Sequence, residues 1–187
     1  MVPLLLLILH KALVMPTEAN DTAQPERRVV VDFLRDADLT GWEIEDDVVM
    51  GGRSQGVFKL NEEGHAVFSG VVSLENNGGF SSLQWYFPPM DVTAYTTALL
   101  RVKGDGKAYQ FRVESEPGLR HNYVYTFATS GEWETIEVPL AEMYAEHHGN
   151  RLDLPNYPGK ILSQIRFLIA NGEAETFTLL IDRIELK

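Results

Sequence analysis

A period-two alternation of apolar and polar residues recurs through the second half of this chain and admits few folds, because side chains on a strand point to opposite faces in turn. Leu83, Trp85 and Phe87 fall on one face, Ser82, Gln84 and Tyr86 on the other. Tyr109, Phe111 and Val113 alternate with Gln110, Arg112 and Glu114; Tyr123, Tyr125 and Phe127 with Asn122, Val124 and Thr126; Ile165, Phe167 and Ile169 with Gln164 and Arg166. One apolar face per strand is what an antiparallel sheet needs when it packs on one side only. Turn signals separate the runs at Lys103-Gly104-Asp105-Gly106, Glu116-Pro117-Gly118 and Thr129-Ser130-Gly131. The pattern predicts an all-β sandwich of about ten strands. Its last run, Phe177 to Leu186, is apolar on both faces, which predicts a central strand or a bulge near Asp182. Leu140, Met143 and Tyr144 recur at helical spacing and predict one short helix over 140–148, ended by Gly149.

With 187 residues, 44% of them hydrophobic, the chain can build one sizeable core. Residues 1–28 read as a leader and linker, residues 29–187 as one domain. The apolar run Val2 to Leu9 is shorter than the about 20 residues that span a bilayer. Its length suits a secretory signal with a cleavage site at Thr17-Glu18-Ala19, although no basic residue precedes it. Export or membrane association follows if it is a signal, a cytoplasmic location otherwise. The formal charge of −11 opposes binding to nucleic acid or anionic lipid. With no cysteine, disulfides, thiol nucleophiles and cysteine metal sites are excluded.

Two dense stretches stand out. Trp42 to Ser54 carries an aromatic anchor, the acids Glu43, Glu45, Asp46 and Asp47, and the glycine pair Gly51-Gly52. Glu75-Asn76-Asn77-Gly78-Gly79-Phe80 follows a strand-like Phe68 to Leu74. In this order, Asp47, Met50-Gly51-Gly52, Ser54, Phe68-x-Gly70 and Asn77-Gly78-Gly79-Phe80 resemble the complex I intermediate-associated protein family, from about Val30 to Lys187. Val48 stands where that pattern expects a small residue. The resemblance implies a jelly-roll, galactose-binding-type β-sandwich and a noncatalytic assembly or chaperone-like role. It also implies a protein partner, a respiratory-complex subunit or assembly intermediate. The expected contact residues are Asp47, Met50, Gly51, Gly52, Arg53, Ser54, Asn77, Gly78, Gly79 and Arg112, with no cofactor.

The remaining chemistry is thin. The acids of 43–47 read as a solvated turn, with calcium as the rival, since that ion takes carboxylate oxygens. A structural calcium between Asp32 and Asp182 rests on analogy with carbohydrate-binding sandwiches alone. The five histidines lack zinc-ligand spacing, and His147-His148 reads as a solvated helix end. Gly-x-Ser-x-Gly is absent, and Gly52-Arg53-Ser54 lacks the P-loop lysine, so an enzyme is not expected. Trp42, Trp85 and Trp133 read as core anchors. A polar sheet face carrying Gln84, Arg101, Gln110, Arg112, Glu114 and Asn122, with Tyr86 as its exposed aromatic, is a ligand face or a solvated cross-strand network. The alternative to an assembly factor is therefore an exported carbohydrate-binding module.

Overall fold

The computed structural model describes residues 26–36 and 38–187; the leader reading lies outside them. Among the described residues thirteen strands, more than expected, run in chain order as β1 (Arg28–Asp32), β2 (Trp42–Asp46), β3 (Gln55–Leu60), β4 (Ala66–Val72), β5 (Ser81–Asp91), β6 (Thr97–Lys103) and β7 (Ala108–Glu114). They continue as β8 (Asn122–Ala128), β9 (Glu134–Pro139), β10 (Tyr144–His147), β11 (Asn150–Arg151), β12 (Ile161–Ile169) and β13 (Glu175–Leu186). A short helix, α1 (Phe33–Asp36), follows β1. Two antiparallel sheets form a sandwich, ordered β3-β4-β13-β6-β9, with β1 also on β13, and β11-β10-β8-β7-β12-β5-β2. Among the described residues no helix is long and apolar enough to cross a membrane.

The apolar faces read from the alternation meet in one core. Leu83, Phe111, Val113, Ile165 and Phe167 from one sheet pack with Phe68, Leu100, Val102 and Leu179 from the other. β13 is central, and it also carries the bulge: its ladder to β6 slips between Ile181 and Arg183. The parity of its core residues switches there, from Phe177, Leu179 and Ile181 to Ile184 and Leu186. One extra residue at Asp182 thus explains a run that is apolar on both faces. Pro88 and Pro89 sit in β5 opposite a similar slip between Leu162 and Gln164, where a missing amide breaks little of the ladder.

The helix expected over 140–148 does not form. Leu140–Glu142 makes a single 3₁₀ turn, and Tyr144–His147 is β10, paired with β8 from Tyr144↔Val124 to Glu146↔Asn122. Met143 and Ala145 enter the core, while Tyr144 and Glu146 face the other way. Of the tryptophans, Trp42 packs on the core and stacks with Trp85 at 5.4 Å between centroids. Trp133 is half-buried against His65 and under the Arg101 guanidinium.

Candidate functional site

The two motif stretches are neighbouring loops, each of which carries the chain from one sheet to the other: Asp47–Ser54 joins β2 to β3, and Ser73–Phe80 joins β4 to β5. Asp47 locks them together. Its carboxylate accepts from the Ser54 amide at 2.9 Å and hydroxyl at 2.5 Å, and from the amides of Gly79 at 2.6 Å and Phe80 at 3.2 Å. The Ser54 hydroxyl in turn accepts from the Ser73 amide at 2.9 Å. Burial alone would raise the Asp47 pKa; the bonds from Ser54, Gly79 and Phe80 outweigh it and hold the carboxyl below its ordinary value.

This arrangement explains the glycines. A Cβ on Gly52 would overlap the Asp47 carboxylate, and one on Gly78 would lie 2.6 Å from Asp47 Oδ2. Gly51 and Gly79 instead hold positive φ, +91° and +139°, and Asn76 and Asn77 share the left-handed region at 55° and 59°. The solvated-turn reading of Asp46 and Asp47 is thereby corrected. Asp47 is fully buried, and the Asp46 carboxylate is satisfied by the Gly56 amide and the Ser81 hydroxyl. Asp32 accepts from the Arg35 amide, and Asp182 lies by His65. Among the described residues no three His, Asp or Glu side chains converge as a metal site.

The expected contact residues therefore divide. Asp47 and Ser54 are buried in the lock, and their side chains do not reach a partner. Val48 and Met50 project outward, 58% and 59% exposed, which explains why a larger side chain is accommodated at position 48. Arg53 is exposed and pairs with Glu75 across the two loops at 3.1 Å. Met50, Asn77, Gly78 and Gly79 border a cleft of about 620 Å³ on the outer face of the seven-stranded sheet, and Arg112 lies on its floor.

That floor is a ladder of polar side chains in register. Gln84 stands across from Arg166, and Arg166 across from Arg112; one row over, Tyr86 faces Gln164, and Gln164 faces Glu114. Arg112 is ion-paired with Glu146 at 2.5 Å and bonded to Gln110; Arg166 is paired with Glu45 at 2.9 Å and bonded to Gln84. Asn122 bridges Glu114 and Gln164. The network is cross-strand, as one reading held, but largely buried: burial pulls Arg112 below its usual pKa against the opposing pull of Glu146. Burial likewise pushes the Glu114 carboxyl up, opposed by Arg166 and Asn122. Arg101 is not part of this face; it sits on β6 in the other sheet. His147 and His148 are exposed on the cleft wall rather than at a helix end, with ring centroids 4.0 Å apart.

Glu45, Glu146, Arg166 and His121 line the cleft without having been singled out as site residues. Arg166 was legible as the polar side of its strand, and Asn122 and Glu114 as members of a polar sheet face. Glu146 was hidden by the helical reading of its segment.

Comparison with known proteins bears on both features. A family profile described as Complex I intermediate-associated protein 30 (CIA30) matches residues 31–181. The mouse protein "Complex I intermediate-associated protein 30, mitochondrial" is 26% identical over 189 residues, covering 88% of this chain and 57% of its own length. The chain thus spans a little over half of that relative. Among solved structures, the family 11 carbohydrate-binding module of Clostridium thermocellum, in complex with a β-1,3-1,4-mixed-linked tetrasaccharide, superposes with a TM-score of 0.62. It is 18% identical and covers 86% of this chain and 94% of its own, which establishes a shared sandwich fold. The Endo-D glycoside hydrolase domain of Streptococcus pneumoniae has a TM-score of 0.54 at 15% identity, covering 78% of this chain and 21% of its own. The carbohydrate-active proteins share the architecture, whereas the locked loop pair falls inside a profile that matches most of the sequence: the chain belongs to the Complex I intermediate-associated protein 30 family.

Proposed function

We propose that this chain is a noncatalytic protein-binding module acting as an assembly factor of the complex I intermediate-associated type. Its partner is a respiratory-complex subunit or assembly intermediate, held by the rim of the locked loops: Val48, Met50, Arg53, Leu74, Asn77, Gly78 and Gly79, whereas Arg112 lies buried behind them in its pair with Glu146 and is not a contact. The observation that carries this reading is the apolar character of that rim. Val48, Met50 and Leu74 all project to solvent from two loops that Asp47 and the Arg53–Glu75 pair hold together. Exposed apolar side chains gathered at one rigid place favour a protein contact. The same rim presents an arginine able to pair with a partner carboxylate.

The absence of catalysis is supported by how the cleft acids are used. Glycoside hydrolysis needs two carboxyl groups in separate roles. Here Glu45 and Glu146 are each committed to an arginine, which leaves Glu114 alone.

The test is capture by immobilised protein from detergent-solubilised respiratory membranes, with bound proteins identified by mass spectrometry. Complex I subunits should be enriched over those of other respiratory complexes. Met50→Asp and Arg53→Glu should each reduce that enrichment at least tenfold with an unchanged denaturation midpoint. Wild-type recovery by both variants, or capture without complex I subunits, removes the reading.

A further inference from the structure

Beyond the rim, the floor of the cleft has a chemistry of its own. Three polar atoms of residues that line it are buried and have no hydrogen-bond partner among the described residues: Glu114 Oε2, His121 Nε2 and Arg166 Nε. Glu114 itself is only 5% exposed. Buried polar groups are nearly always hydrogen-bonded, so three orphans along one cleft mark the places where a ligand supplies what the protein withholds. They comprise an acceptor, a donor and an imidazole nitrogen able to serve as either, the combination that complements hydroxyl groups.

Charge narrows the ligand further. The chain carries −11 overall, yet Glu45, Glu114 and Glu146 line the cleft with Arg112, Arg120 and Arg166, three acids against three guanidiniums. An anion would meet the carboxylates and a cation the arginines, whereas a neutral ligand with many hydroxyls meets paired donors and acceptors. Tyr86, half-exposed on the same floor, offers an aromatic face for the C–H side of a sugar ring. A volume of about 620 Å³ falls within the range of small-ligand sites.

We infer that this cleft binds a neutral polyhydroxylated chain, a short glycan, stacked on Tyr86 and hydrogen-bonded by Glu114, His121 and Arg166. The rim residues Met50, Asn77, Gly78 and Gly79 border the cleft, but the sugar-binding groups lie on its floor, and neither reading depends on the other.

Isothermal titration of the purified chain with cellotetraose, mixed-linkage β-1,3-1,4-glucotetraose, xylotetraose, mannotetraose and the charged tetragalacturonate tests it. At least one neutral tetrasaccharide should bind in preference to tetragalacturonate. Tyr86→Ala and Glu114→Gln should each weaken it about tenfold or more, with the denaturation midpoint of Tyr86→Ala unchanged. Arg53→Glu, a rim variant outside the cleft lining, should leave sugar affinity as it was. No binding of any neutral sugar at millimolar concentration, preference for tetragalacturonate, or wild-type affinity in both cleft variants overturns the inference.

Discussion

Arg112 and Arg166 face each other directly across the β7–β12 ladder, and each is matched by its own carboxylate, Glu146 for the first and Glu45 for the second. Like charges opposite one another destabilise a sheet. Their coexistence therefore rests on the two acids, and the buried pair bears the heavier part, since both Arg112 and Glu146 are almost wholly enclosed.

Glu146→Gln should accordingly cost about 3–5 kcal/mol, because it strands a buried guanidinium beside a second one. Arg112→Met combined with Glu146→Met should recover much of that loss, as replacing both partners by apolar groups removes the unpaired charge. Urea denaturation of the three proteins measures this; a single variant with wild-type stability would refute it.

Asp47→Ala should destabilise by roughly 3 kcal/mol, since it leaves the buried amides of Ser54, Gly79 and Phe80 without their acceptor. The same carboxylate gives the fold an acid sensitivity. Its folded pKa lies below its unfolded one, so its contribution is present in full above the ordinary carboxylate range and is lost as pH falls through the folded value. Wild type should therefore lose stability on acidification below about pH 4, and Asp47→Ala should lose less over the same interval.

The lock also orders the glycines. Gly51→Ala, with open space around its Cβ but φ of +91°, should cost about 1 kcal/mol. Gly52→Ala should cost more, about 2–3 kcal/mol, because its methyl group displaces the Asp47 carboxylate. In the Asp47→Ala background the Gly52→Ala penalty should shrink by at least about 1 kcal/mol, the coupling expected of residues in contact. Additive effects in this double-mutant cycle would show that the glycine does not make room for the acid.

Met143→Ala should cost about 2–4 kcal/mol, the range for emptying a fully buried methionine site. Backbone amides in the ladder to β8 over 144–146 should be protected from hydrogen exchange, and circular dichroism should show little helix. Loss of less than about 0.5 kcal/mol would place Met143 outside the core.

What could be read without the structure was whatever depends on near neighbours. The alternation placed Leu83, Phe111 and Phe167 in the core, and the doubly apolar run of β13 marked its central place and its bulge. What could not be read depends on partners far along the chain. Asp47 looked solvated because its amide donors at Gly79 and Phe80 lie 32 and 33 residues away. Arg101 looked like a neighbour of Arg112 because alternation assigns a face, never a sheet. The 140–148 segment matched helical spacing at Leu140, Met143 and Tyr144, but the edge left open by β8 made pairing the better use of its backbone.

The Asp47 lock has a mechanical consequence. Each loop it ties is a staple from one sheet to the other, so the mouth of the cleft is framed by two of the connections that hold the layers of the sandwich together. Widening that mouth means pulling on both staples, and hence on the core itself. Whatever enters meets a frame whose shape was set during folding, and little entropy is left to lose on its side of the contact.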